Sequence, residues 1–192
     1  MEPQPDGTVQ VGDIDPRWRI EPETFQRNFT PTKPPVLTHL LYEIFWIRSC
    51  NTWKNWCTST GLQHAENNFL ENHCRVINRR TDPCSITWFL SWSPCGRCSR
   101  SIIDFLNNHA NVTLNIKVCQ LHKDYIRWNR NGLRDLANHG VQISIMQQPD
   151  YDYYWRTFVS HQPRGRNDWP WNFSCWIQYY SQQLHSILTT TE

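Results

Sequence analysis

At 192 residues the chain has the length of one domain and enough of it to bury a core without covalent staples. Its formal net charge of +2 is too small to define a nucleic-acid partner, and it holds no run of about 18 apolar residues that could cross a membrane as a helix. Eight cysteines fall well below the density of a disulfide scaffold.

Charge is unevenly spread. Residues 1–24 balance at −4, which leaves +6 on the remainder, and the cations are 15 arginines against 4 lysines. Arginine clasps phosphate bidentately and stacks on bases, whereas lysine acts as a point charge. Eleven tryptophans and seven tyrosines add flat side chains of the kind single-strand binders use, although most are expected in the core.

Residues 1–17 read as a frayed acidic tail ahead of one domain spanning 18–192. The tail lacks the apolar stretch of a secretory signal, so the chain is expected in the cytoplasm, the nucleus or both, where thiols stay reduced. Phe25 and Phe29 at helical spacing predict a helix over 21–29, followed by a proline-rich loop at 30–35. A strand at 38–47 has a hairpin partner at 51–57, and a polar loop leads to a helix over 64–77 with Phe69, Leu70, His73, Cys74 and Ile77 on its inner stripe. An apolar strand at 84–92 precedes a helix over 94–109, with Pro94 in the favoured first turn. A strand at 112–118, a helix at 128–140 stopped by Gly140, a strand at 141–146, and helices at 151–160 and 175–188 complete the chain. Strands alternating with helices behind an opening hairpin predict an α/β fold on a mixed sheet.

The stretch "SWSPCGRCSR" sets Cys95 and Cys98 three apart at a helix start, where the helix dipole favours thiolates. A reducing compartment argues against a disulfide, while a redox pair and a metal site both fit the spacing. The earlier helix opens with "HAE". His64 offers a nitrogen suited to zinc beside the two sulfurs, and three protein ligands leave a fourth tetrahedral position for water, as in catalytic zinc sites. Cys74 lies about 15 Å further along that helix, too far to share the ion. Glu66 can then carry protons without ligating the metal. His-x-Glu followed by Pro-Cys-x-x-Cys is the signature of zinc-dependent nucleobase deaminases. Both halves, in order and at helix starts, make the pair a metal site and Glu66 its acid–base. The expected chemistry is hydrolysis at C4 of cytosine to give uracil. The remaining cysteines are expected to be buried free thiols.

"ITWFLSWSPCGRC", together with "RIEPETF", "LLYEI", "NRNGLRDL" and "WRTFV", resembles the AID/APOBEC polynucleotide cytidine deaminases, most closely the apolipoprotein-B-mRNA-editing branch, from about Arg19 to Leu188. The resemblance implies a cytidine-deaminase-like three-layer fold, with a five-stranded mixed sheet and about six surrounding helices. It also implies a single-stranded DNA or RNA substrate rather than free cytidine, and DNA is the expected one. By position, Trp92 matches an aromatic wall beside the target base, Ser93 a contact to the base edge, Ala65 the pocket floor and Thr38 a further base contact. The segment after the 112–118 strand governs the neighbouring base in that family. Here Gln120 stands where many members carry arginine, so His122, Asp124 and Tyr125 become the expected reader. The loop before His64 lacks the asparagine that many members place there, and Asn55, further back, is the substrate-binding candidate in its stead. A protein cofactor or a homo-oligomer is left open. The rival readings are a transfer-RNA adenosine deaminase and a catalytically silent, zinc-containing single-strand binder.

Overall fold

The three strands richest in buried apolar residues lie at the middle of one sheet. In the computed structural model, which describes residues 19–78, 82–160, 169 and 172–190, β1 (His39–Trp46) is flanked by β2 (Asn51–Thr58) and β3 (Cys84–Trp92). The sheet continues through β4 (Val112–Gln120) to β5 (Gln142–Ile145), in the order β2-β1-β3-β4-β5. β1 runs antiparallel to both neighbours, whereas β3, β4 and β5 are parallel, so the sheet is mixed as expected. The acidic tail read over residues 1–17 lies outside the described residues. Among the described residues no helix is long and apolar enough to cross a membrane.

Successive strand side chains alternate between faces, and β3 shows both layers. Trp88 meets Phe69, 4.9 Å between ring centroids, on one face. Its neighbour Phe89 meets Tyr154 of α6 (Gln148–Phe158) at 3.6 Å on the other. The second face also holds α1 (Pro22–Phe29), whose Phe25 stacks on Phe29 at 4.6 Å and meets Trp155 and Trp169 edge-on. On the first face lie α2 (Ala65–Asn68), a π-helical turn (Phe69–His73), α3 (Arg75–Asn78) and α4 (Gly96–Asn108). Against α4 packs α5 (Arg127–Asn138), and α7 (Ser174–Thr189) leans on α5 and β5. With 65–78 taken as one helical stretch, the described residues form six helices around five strands.

Four sequence expectations are corrected. The helix over 64–77 is not continuous: Cys74 N–H bonds Phe69 O at 3.0 Å, a wider turn than the α-helical one. That turn seats Phe69 between Tyr42, at 4.8 Å, and Trp88, and brings His73 Nδ1 within 3.0 Å of the Tyr42 hydroxyl. Pro94 stands outside α4, because Cys95 is extended and caps the helix, its carbonyl taking the Ser99 N–H at 2.9 Å. The helix read at 151–160 starts at Gln148, where Gln147 and Asp150 form a reciprocal capping box, and stops at Phe158, since Val159 bridges Ile20. Cys57, Cys74, Cys84 and Cys119 are buried thiols, but Cys50 and Cys175 are exposed.

α4 and α5 approach through glycine. A Cβ on Gly132 would lie 2.8 Å from the Gly96 Cα and 2.7 Å from Ser99 Oγ. Gly132→Ala gains about 1 kcal/mol in helix propensity, against about 1–3 kcal/mol for overpacking. The Ser99 hydroxyl could turn aside, but the Gly96 Cα at 2.8 Å is backbone and cannot, so packing should win. The variant is expected to melt about 2–4 °C lower, a net loss of about 1 kcal/mol, in a differential scanning experiment.

Candidate active site

Two helix starts converge on one point. His64 is extended and sits at the N-cap of α2; Cys95 is the N-cap of α4 and Cys98 the third residue of that helix. N-cap and third-residue side chains meet over a helix N-terminus, the geometry a capping box uses, so both sulfurs turn toward the same space. His64 Nδ1 lies 3.3 Å from Cys98 Sγ and 3.6 Å from Cys95 Sγ, and the three ligand atoms all fall within 4.8 Å of one another. Zn–N near 2.0 Å and Zn–S near 2.3 Å at tetrahedral angles require N···S separations of about 3.6 Å. The donor set therefore fits a single tetrahedral ion, and Nδ1 is the nitrogen that faces it.

The thiols share one proton. Cys95 is held down to about 4, first by the hydrogen bond from the Cys98 thiol, then by the backbone N–H groups of Cys98 and Arg97 at the helix start. Cys98 is driven upward by the same shared bond and by burial. A thiolate waiting at a helix N-terminus is the form that a metal requires.

Glu66, in the first turn of α2, is only 2 % exposed. Burial pushes its carboxyl up to about 7, with the Cys95 thiolate adding to the rise, while its own backbone N–H, His64 and the Cys98 thiol pull the other way. A carboxyl near 7 both takes and gives a proton at neutral pH. Beneath it Ala65 is fully buried, and its carbonyl accepts the Cys57 thiol at 3.4 Å.

His64 and Cys95 open onto a groove of about 890 Å³ whose walls include Gln63, Asn67, Glu71, Arg97 and Trp128. Outside the lining of that groove, the half-buried Trp92 meets the His122 ring edge-on at 5.3 Å. Ser93 is 3 % exposed, and its hydroxyl accepts the His122 N–H at 2.9 Å. Burial holds His122 below the usual imidazole value. Thr38 is half-buried at the entry to β1, tied to Ser59 through its N–H and its carbonyl. Asn55 lies opposite Tyr42 on β2, and its side-chain oxygen takes the Trp56 N–H at 2.8 Å. Asp124 and Tyr125 line a different groove, of about 380 Å³, against α7.

One positioning residue went unread. Asn129 is 6 % exposed; its Oδ1 accepts the Gly96 N–H at 3.0 Å, and its Nδ2 donates to the carbonyls of His122 and Lys123 at 3.2 and 3.3 Å. It fastens the loop after β4 to the start of α4. Its only sequence signal was a place in "NRNGLRDL", with no role attached. Asn129→Ala leaves the Gly96 N–H without its side-chain acceptor, at about 1–3 kcal/mol. It should lower the midpoint of urea unfolding and loosen His122, seen as accelerated amide exchange over residues 121–126.

A five-stranded mixed sheet carrying a His-Cys-Cys donor group at two helix starts, beside a buried glutamate, defines a cytidine-deaminase-like α/β protein. The family described as APOBEC4-like AID/APOBEC-deaminase matches residues 28–161. The chain is 43 % identical over 178 residues to the C->U-editing enzyme APOBEC-1 of Mus musculus, covering 91 % of this chain and 77 % of the relative. It is 41 % identical over 181 residues to the human C->U-editing enzyme APOBEC-1, covering 93 % and 75 %. To the DNA dC->dU-editing enzyme APOBEC-3Ca of Felis catus it is 32 % identical over 160 residues, covering 77 % and 82 %. The chain belongs to the AID/APOBEC deaminase family.

Proposed function

We propose that this chain is a zinc-dependent deaminase that converts cytosine to uracil in single-stranded polynucleotide. The observation that carries the reading is the cluster of His64 Nδ1, Cys95 Sγ and Cys98 Sγ with the buried Glu66 carboxyl against it. Zinc held by those three donors would supply Lewis acidity that brings water toward neutrality as a nucleophile. Glu66 takes a proton from the attacking water and delivers it to ring N3, which makes C4 more electrophilic. Glu66 then takes the remaining proton from the hydroxyl on C4 and passes it to the amino group as the C4–N bond breaks, so the C4 carbonyl forms and cytosine and water become uracil and ammonia. Trp92 walls the base, Ala65 floors it, Ser93 and Thr38 meet its edge, and Asn55 belongs to the same contacts. His122, Asp124 and Tyr125 read a neighbour.

A base stacked in a duplex cannot reach a site set between two helix starts, so the substrate is a strand whose target base is already unpaired or can be turned out. The relatives' names support cytosine as the base: C->U editing in APOBEC-1, and dC->dU editing of DNA in the cat protein. Incubation with a mixed pool of single-stranded DNA and RNA, followed by sequencing, should reveal C-to-U changes. Inosine formed from adenine would instead select the transfer-RNA-type activity. Tight strand binding without any base change would select the silent binder.

A further inference from the structure

The wall of the groove beyond the metal donors carries an aromatic surface that the chemistry at Glu66 leaves unused. Trp128, in the first turn of α5, is 51 % exposed and lines the same groove as His64 and Cys95. It rests on α4 where that helix has no side chain: a Cβ on Gly96 would lie 2.2 Å from Trp128 Nε1 and 2.3 Å from its Cδ1. One turn along α4, Arg100 holds its guanidinium carbon 5.1 Å from the ring centroid. Arg97, exposed at the start of α4, lines the groove beside the indole. The indole is thus braced by Gly96 and Arg100 and left half open in the groove, next to a cation.

We infer that Trp128 is a stacking platform for a base flanking the target, with Arg97 and Arg100 receiving the adjoining phosphates. The inference rests on the single-strand deaminase reading and extends it outward by one nucleotide subsite. The target base sits at the donors, so the strand on one side of it must run along this wall. There every base offers a face to the indole whatever its identity. Glu71, from the π-helical turn, is an acid in the same groove and turns the phosphates toward the Arg97 side. The subsite therefore gives affinity and strand direction, with little base preference, in contrast to the loop at His122.

The test is a double-mutant cycle between protein and strand. Full-length zinc-loaded protein carrying Glu66→Gln, which prevents turnover, is titrated by fluorescence anisotropy. The labelled single-stranded DNA contains one cytosine, with an abasic residue moved position by position around it. Trp128→Ala should weaken binding of the intact strand roughly 5- to 150-fold, the range found for removing one base–aromatic stack. At one flanking position the abasic strand should lose the same factor with Trp128 present and nothing further with Trp128→Ala. Trp128→Phe should recover most of the loss. Trp128→Leu, which keeps an apolar contact on Gly96 but removes the ring, should behave like alanine and covers the case in which alanine unfolds. Arg97→Ala should lower the slope of log affinity against log salt by about 0.7, one phosphate contact on a single strand. Penalties that simply add at every position overturn the platform. Coupling at one position without uracil formation by the native protein would keep the platform and remove the deaminase reading. Uracil formation without coupling does the reverse.

Discussion

Glu66→Gln is expected to yield a folded, metal-loaded protein whose deamination falls by about 10³-fold or more. A single positioned acid–base group contributes about 10²–10⁴, and Glu66 is asked to act twice, on the attacking water and on the departing amine. Glutamine keeps the volume and planar shape of the side chain, so the 2 % of its surface that is exposed and the packing over Ala65 should not change. The carboxyl is already pushed up to about 7 by burial, so removing an ionisable group there relieves the fold of a desolvated charge. The melting temperature should therefore be no lower than that of the native protein. Uracil release from a cytosine oligonucleotide, metal content by mass spectrometry and a thermal melt check the three parts separately. Retained activity would remove Glu66 from the chemistry. Lost activity together with lost metal would make it a structural support of the donor set.

What the sequence made legible follows from where each constraint lies. "HLLYEIFW" and "CSITWFLSW" are buried over most of their length on both faces of the sheet, and such strands advertise themselves as mostly apolar runs. His64, Glu66, Cys95 and Cys98 were readable because metal and proton chemistry restricts both residue type and spacing over a few positions. The π-helical turn was not. Its hydrogen-bond register is decided by Phe69 fitting between Tyr42 and Trp88, partners at 27 and 19 residues' remove along the chain. The start of α6 was hidden because "QQPD" reads as a polar loop until Gln147 and Asp150 are seen to cap each other. Trp128 and Asn129 were silent for the same reason. What they do depends on the closeness of α4 and α5 at Gly96 and Gly132, which no local pattern records. The flanking-base surface is thus a tertiary product laid beside a motif that is local.

Cys98→Ala should strip the metal without unfolding the chain. An apparent binding free energy of about 10–16 kcal/mol for a zinc site, divided over its donors, assigns roughly 3–5 kcal/mol to each, or about 10²–10⁴ in affinity. Two remaining donors, His64 and Cys95, then lose zinc to dialysis against a chelator, and deamination disappears with it. The metal-free proteins should differ little, because alanine leaves only a sulfur-sized gap at a fully buried position. The contrast appears on adding zinc. A ligand at about a thousand times its dissociation constant stabilises the folded state by about 4 kcal/mol, which raises the melting temperature of a domain this size by about 10 °C. The native chain should show that rise and Cys98→Ala should not. His64→Ala removes a donor from an exposed position and should reproduce the missing rise with still less effect on the metal-free melt. Stoichiometric zinc in Cys98→Ala would place the ion on other donors. A native protein whose melt ignores zinc would leave Cys95 and Cys98 as a thiol pair sharing a proton, and the open redox reading of that spacing would return.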